Sequence, residues 1–205
     1  MKVFSSLSAV ILLTTSAAAE NPVAVMKTSM GEITIELDRE NAPITVANFL
    51  TYVEKKHFDG TIFHRVIGNF MIQGGGFAKG NPPTEKRGLK PIKNEAKTSG
   101  LSNVRGTIAM ARTMDPDSAT AQFFINVVDN GKGKLDPGGF SPDGYAVFGE
   151  VTDGMATVDK IRKVRTGASV LKLRTPGGQV IERPMQDVPV EQVTIESVSL
   201  KKTNR

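Results

Sequence analysis

Between residues 23 and 200 the apolar side chains come in short runs that alternate with polar ones and are cut off every few residues by Gly, Pro, Asn or Asp. A period of two puts one set of side chains on one face of an extended strand, and turn residues at that frequency stop a strand before it lengthens. A β-dominated fold is therefore predicted. Residues 23–28 and 32–37 flank Ser29-Met30-Gly31, and Ile33, Ile35 and Leu37 alternate with Thr34 and Glu36, as in an opening hairpin. Further strands are predicted at 61–67, 70–74, 106–111, 122–127, 145–151 and 193–200. In the last of these the alternation slips between Ile195 and Val198, which predicts a bulge. A final strand paired with the first would close the sheet and remove its edges.

Two helices interrupt this pattern. Pro43 suits a first helical turn, and Val46, Phe49, Leu50 and Val53 recur on one face up to Lys55-Lys56. A second helix fits 155–164, with Met155, Val158 and Ile161 inward and Asp153 as its cap. Strands with two amphipathic helices predict a closed barrel whose open ends the helices plug. Residues 170–174 and 179–183 surround Thr175-Pro176-Gly177-Gly178, which is turn chemistry and predicts a hairpin projecting from the barrel as a surface excursion. No repeat or long linker divides the chain, so a single domain over residues 20–205 is expected.

Residues 1–19 read as a leader and not as part of that domain. Lys2 gives a positive start, residues 7–13 are apolar, and Ala17-Ala18-Ala19 before Glu20 offers a small-residue cleavage site. The apolar stretch is about half the length needed to span a bilayer. Export to the periplasm, or secretion where there is no outer membrane, is the expectation, with no stable membrane insertion. With Lys2 removed the formal net charge falls from +5 to +4. The basic residues are scattered among acids, Lys86, Arg87, Lys90 and Lys93 being the densest cluster, and only 6% of residues are aromatic, so nucleic acid is not an expected partner. A chain with 39% hydrophobic and 23% charged residues is not disordered, and a monomer is expected.

Several chemistries are excluded by what the sequence lacks. Without Cys there is no disulfide, thiolate zinc site, cysteine nucleophile or lipid-anchored cysteine, and His57 and His64 are too few for a histidine-rich metal site. No G-x-S-x-G or H-E-x-x-H occurs. Gly74-Gly75-Gly76 is followed by Phe77, and Lys79 is not followed by Ser or Thr, so it is not a phosphate loop. The feature that stands out is Phe63-His64-Arg65-Val66-Ile67, a cation inside an otherwise apolar strand, where period two puts Arg65 on the face of Phe63 and Ile67. Taken alone, this arginine is as compatible with a buried ion pair as with a functional role.

The order and spacing of that segment with Phe70-Met71-Ile72-Gln73-Gly74-Gly75, Gly106-Thr107-Ile108-Ala109-Met110-Ala111, Gln122-Phe123-Phe124-Ile125 and Tyr145-Ala146-Val147-Phe148-Gly149 resemble the cyclophilin family of peptidyl-prolyl cis/trans isomerases, most closely its exported bacterial members. The resemblance covers about residues 23–159 and resumes at the final strand. It implies an eight-stranded antiparallel barrel capped by two helices, no cofactor and no metal. It also implies that Arg65 is catalytic and that Gln73 is the amide that steadies it and the substrate backbone. Phe70, Met71, Phe124 and Leu135 would form the floor and walls of a proline pocket, Ala111 would lend backbone contacts and Gln122 a polar contact to the peptide. Tyr145 falls where many members carry a pocket-edge histidine. The implied partners are proline-containing peptides and unfolded exported proteins.

The sequence departs from the family in several places, including the segment 114–121 and a longer loop at 137–142. Arg112 stands where eukaryotic members often have asparagine, and Lys134, before Leu135-Asp136, stands where many members carry the tryptophan that contacts cyclosporin. The 170–183 hairpin is an insertion relative to short bacterial members. A non-catalytic chaperone barrel is the alternative reading, against which Arg65 and Gln73 together argue; a structural envelope protein is a third.

Overall fold

A computed structural model describes residues 20–175 and 177–201; the expected leader at residues 1–19 lies outside the described residues, as does Pro176 at the hairpin tip. In chain order the elements are β1 Val23–Thr28, β2 Gly31–Leu37, α1 Pro43–Glu54, β3 Thr61–Ile67, β4 Met71–Ala78, β5 Thr84–Glu85, β6 Thr107–Met110, β7 Phe123–Asn126, β8 Val147–Asp153, α2 Met155–Ile161, β9 Thr166–Arg174, β10 Val180–Pro189 and β11 Thr194–Leu200.

The sheet runs β4-β3-β11-β1-β2-β8-β6-β7, and β7 pairs again with β4, so these eight strands close into an antiparallel barrel; β5, β9 and β10 extend it outward from β4. The first and last strands do pair. Their register slips between Lys27↔Ser197 and Thr28↔Ile195, leaving Glu196 as the bulge that the broken alternation predicted. The alternating residues Ala24, Met26, Ile33, Ile35 and Leu37 are fully buried inside the barrel. Helix α1 plugs one end: Phe49 lies 5.3 Å from Phe148 and 6.0 Å from Phe123, ring centre to ring centre.

The start of α1 shows how the chain satisfies a helix that has no cap of its own. Ala42 occupies the N-cap position, and Pro43 brings no N–H. The remaining free donors go to a residue far along the chain: Ile44 N–H donates to Glu95 Oε1 at 3.0 Å and Thr45 N–H to Glu95 Oε2 at 2.7 Å. The Thr45 hydroxyl donates to the same Oε2 at 2.6 Å, and Glu95 is 6% exposed. A buried carboxylate on three donors at the positive end of a helix is well stabilised.

Several boundaries differ from the sequence expectations. Helix α2 ends at Ile161 rather than 164, and its cap position is Gly154 in left-handed backbone (φ 89°). Asp153 ends β8, and among the described residues its carboxylate accepts only the adjacent Gly154 N–H. Strand β4 runs through its three glycines to Ala78 instead of stopping at residue 74. β8 begins at Val147 because the Tyr145 N–H is taken by the Leu135 carbonyl at 2.9 Å, outside the ladder.

The β9–β10 hairpin is longer than expected, and its inner half does not project. Leu171 is fully buried in a small apolar cluster with Ile62 and Phe77, and Val188 is buried as well. Lys172 also pairs with Thr84 of β5 in parallel. Only the outer end, where the Thr175 N–H donates to the Gln179 carbonyl at 2.9 Å, remains a surface excursion.

Candidate functional site

The site forms on the outer face of the barrel, where β7 closes the sheet on β4. Arg65 of β3 lies directly opposite Gln73 of β4, Gln73 lies opposite Phe124 of β7, and Phe124 lies opposite Ala109 of β6. Directly opposed residues share a face, so these registers align a cation, an amide and an aromatic ring across adjacent strands. Period two alone would have put Phe63 with them. The β3–β4 register slips between Phe63 and Arg65, and this bulge at His64 sends Phe63 into the barrel core, while Arg65 and Ile67 stay outside.

The row borders a cavity of about 130 Å³, lined by Arg65, Phe70, Met71, Gln73, Ala111, Arg112, Phe124, Leu135 and Tyr145. Every site residue expected from the sequence is there except Gln122, and Arg112 is added. The apolar lining is continuous with a buried cluster of Met71, Ala109, Phe124, Leu135 and Val147. The Tyr145 ring meets Phe124 edge-on with centres 5.8 Å apart. Gln122 supports the cavity from outside, since its Oε1 accepts the Gln73 Nε2 proton at 2.9 Å. This requires the bare backbone of Gly76, because a Cβ there would collide with the Gln122 side chain. Gln73 is therefore steadied by Gln122, and among the described residues its Oε1 accepts no hydrogen bond from Arg65. The Ala111 N–H is also committed, to the Gln122 carbonyl at 2.9 Å, which leaves its carbonyl for any contact with a peptide.

Polar residues that the sequence reading missed hold the loops around the cavity. Asn130 Nδ2 donates to the Phe70 carbonyl at 2.7 Å, and Asn103 Nδ2 to the Tyr145 carbonyl at 3.1 Å. The Asp136 carboxylate accepts the Asn103 N–H at 2.8 Å, fixing the chain just after Leu135. Asparagines in loops carry no sequence signal that distinguishes such a brace from an ordinary turn residue.

Two guanidiniums border the cavity, and Arg65 is the one whose donors are not taken up by the protein. Among the described residues its guanidinium makes no hydrogen bond; its partner is Asp187 Oδ2, 3.9 Å from Nε. Asp187 lies in left-handed backbone (φ 61°), where the β9–β10 register slips between Met185 and Val188, so the base of the inserted hairpin reaches the site. Both side chains are more than a third exposed, so this pair contributes little to stability and leaves the guanidinium donors open. The adjacent His64 is no proton donor to the site. Burial pushes its pKa down to about 3, assisted by the Arg65 charge and opposed by contacts to the Ile62 backbone and the Gln122 amide. Its ring packs 4.6 Å from that of Phe77. The arrangement offers an apolar cleft for a small ring, a fixed amide and a permanently charged donor, with no activated nucleophile.

A family model described as cyclophilin type peptidyl-prolyl cis-trans isomerase/CLD matches residues 23–199. The chain is 51% identical over 178 residues to a Streptomyces antibioticus peptidyl-prolyl cis-trans isomerase, covering 85% of this chain and 96% of the relative. It is 50% identical over 173 residues to Escherichia coli peptidyl-prolyl cis-trans isomerase B, covering 84% and 96%. A peptidyl-prolyl cis-trans isomerase of Acinetobacter baylyi is 48% identical over 193 residues, covering 94% and 93%. Among solved structures, a Cryptosporidium parvum cyclophilin type peptidyl-prolyl cis-trans isomerase in the presence of the dipeptide Ala-Pro superposes with a TM-score of 0.65 at 21% identity, covering 88% of this chain and 99% of that one.

Proposed function

Because this chain belongs to the cyclophilin-type peptidyl-prolyl cis-trans isomerase family, we propose that it turns X-Pro bonds of exported proteins during their folding, with Arg65 as the catalytic donor and the cavity beside it as the proline site. The isomerase activity is that of the family; the compartment, the clients and the residue roles are the proposal. The observation that carries it is the open guanidinium of Arg65 on the wall of an apolar cavity.

Rotation about an X-Pro bond breaks no covalent bond. Its barrier of roughly 18–20 kcal/mol is the resonance of the nitrogen lone pair into the carbonyl. In the twisted state that lone pair is localised on a pyramidal prolyl nitrogen, which becomes a hydrogen-bond acceptor. A donor aimed at this nitrogen binds the transition state more tightly than either planar state. Arg65 supplies it from a planar, charged guanidinium. The ring is held while the rest of the chain turns: the cavity of about 130 Å³ is close to the void of about 150 Å³ that takes up a benzene ring. Phe124, Met71, Leu135 and Phe70 exclude water there, and the Gln73 amide, fixed by Gln122, meets the peptide backbone. The Ala-Pro dipeptide present with the Cryptosporidium parvum relative supports a ligand of this class.

The test has two arms. The purified protein should speed relaxation of a cis-prolyl tetrapeptide, and expression of the full chain should yield a mature form beginning at Glu20 outside the inner membrane. Turnover without processing would reject the export reading alone.

The pocket assignment predicts that Phe124→Ala weakens binding of a proline peptide by about 1 kcal/mol or more, since it strips the ring from one wall. Calorimetry at matched folded fraction measures this, and unaltered affinity would put the proline site elsewhere. Weak inhibition by cyclosporin is also expected. Lys134 is exposed, and its ammonium donates to the Asp129 carbonyl at 3.2 Å instead of lining the cavity. An ammonium cannot replace an indole, a loss on the order of 1–3 kcal/mol. Phe140, the nearest exposed ring in sequence, does not line the cavity either. Lys134→Trp should gain sensitivity; inhibition of the unaltered chain at low nanomolar drug would refute this account of the rim.

A further inference from the structure

Arg112 lines the cavity, yet its donors face away from it. Nε and Nη2 both donate to the Gly144 carbonyl, at 3.0 and 2.9 Å, Nη2 also donates to Ser141 Oγ at 2.8 Å, and Nη1 to the Thr113 carbonyl at 2.9 Å. At the same time its Cζ stands 4.5 Å from the centre of the Tyr145 ring. We propose that Arg112 is a positioning residue that clasps the loop at 141–144 and the Tyr145 ring, holding the edge of the proline pocket in its binding shape. The proposal rests on reading the cavity as the proline site.

The physical need for a clasp comes from the loop. Gly138 and Gly144 adopt positive φ (83° and 62°), and the loop between Leu135 and Tyr145 is held by side chains from outside it: Asn94 Nδ2 donates to the Asp143 and Gly144 carbonyls at 3.2 Å and Lys97 pairs with Asp143 at 2.7 Å on one side, while among the described residues Arg112 alone joins the loop to the Tyr145 ring. Phe140 at its tip is 71% exposed. Tyr145 is tied at its N–H to Leu135 and at its carbonyl to Asn103, but its ring has Phe124 at one edge and Arg112 over its face. With these N–H groups turned to the loop, the guanidinium holds what forms the edge of the pocket. A planar fork can bridge two backbone carbonyls, a hydroxyl and a ring face at once, which a lysine ammonium cannot. Without it the competent pocket is populated only part of the time, and apparent affinity falls by that fraction while the chemical step, which belongs to Arg65, is untouched.

The sequence makes the test direct, because it has no Trp and only two Tyr. In a Tyr52→Phe background Tyr145 is the sole tyrosine fluorophore. Arg112→Gln should raise KM for a proline tetrapeptide by about 5–10-fold with kcat within about two-fold, the behaviour of a competent population cut to that fraction. The emission anisotropy of Tyr145 should drop and recover at saturating peptide. Arg112→Lys should not restore KM. Ser141→Ala, which removes one bond of the clasp, should raise KM about two-fold and serves if Arg112→Gln does not fold. Unchanged KM and anisotropy, recovery by lysine, or a fall in kcat at constant KM would each overturn the proposal. Failure of the isomerase reading is distinct: the unaltered chain would then show no turnover, while the anisotropy drop would still report on the clasp.

Discussion

Arg65→Ala should lower kcat/KM for a cis-prolyl tetrapeptide by about two decades, roughly 2.7 kcal/mol of transition-state stabilisation, which is the usual contribution of one preorganised donor in a water-poor site. The fold should survive. The Arg65 side chain is 36% exposed, and its only described partner is the loosely placed Asp187 carboxylate, so its removal opens no core cavity and strands no buried charge. Arg65→Lys should recover little of the lost rate, because a point ammonium on a flexible stem reproduces neither the reach nor the direction of the planar fork. Comparison of kcat/KM by stopped flow with Tm by calorimetry separates the two effects. Equal turnover of Arg65→Ala and the unaltered chain at equal Tm would falsify the donor mechanism.

The largest expected effect on stability lies away from the site, at Glu95. Glu95→Ala should cost about 3–4 kcal/mol, because it leaves the N–H groups of Ile44 and Thr45 and the Thr45 hydroxyl without their acceptor, in a place where Thr45 is fully buried. For a domain of this size that is a Tm lower by about 10 °C. Glu95→Gln should fall between the two, since the amide keeps one acceptor but turns its own NH₂ toward a donor. Helix α1 carries Phe49 into the end of the barrel, so the loss spreads to the core and not only to one helical turn. Chemical denaturation with an unchanged slope m would show a pure stability effect. A Glu95→Ala midpoint within error of the unaltered chain would sink the assignment.

Much of the barrel was readable in advance because its signals are local. Ile33, Ile35 and Leu37 point inward at every second residue, and one slip of that pattern between Ile195 and Val198 revealed a bulge in the closing strand. Where the reading missed, a distant neighbour had overruled the local preference. Three glycines looked like the end of a strand, but β4 continues through them because Phe63, Phe123 and Gln122 fill the space they vacate. Asp153 looked like a helix cap, yet the backbone turns at Gly154 before the helix begins. The 170–183 insertion looked free of the barrel, but it is the outer part of a longer β9–β10 hairpin in which Leu171 buries itself against Ile62 and Phe77 and Asp187 lies at the edge of Arg65.

By itself the sequence determined the inventory: most of the barrel strands, the two amphipathic helices, and the arginine, amide and aromatic side chains that the family pattern ties to prolyl isomerisation. Periodicity and motif spacing are properties of neighbouring residues, so they survive in one dimension. Only the tertiary structure decided which partners those residues have. The bulge at His64 put Arg65 outside and Phe63 inside; the second pairing of β4 aligned Arg65, Gln73 and Phe124 in one row. Glu95 came to cap a helix 50 residues before it, and Arg112 turned its fork from the pocket to the loop beside it. Such pairings depend on where barrel closure brings separate segments, and the side chains involved are ordinary polar residues whose types alone select no partner.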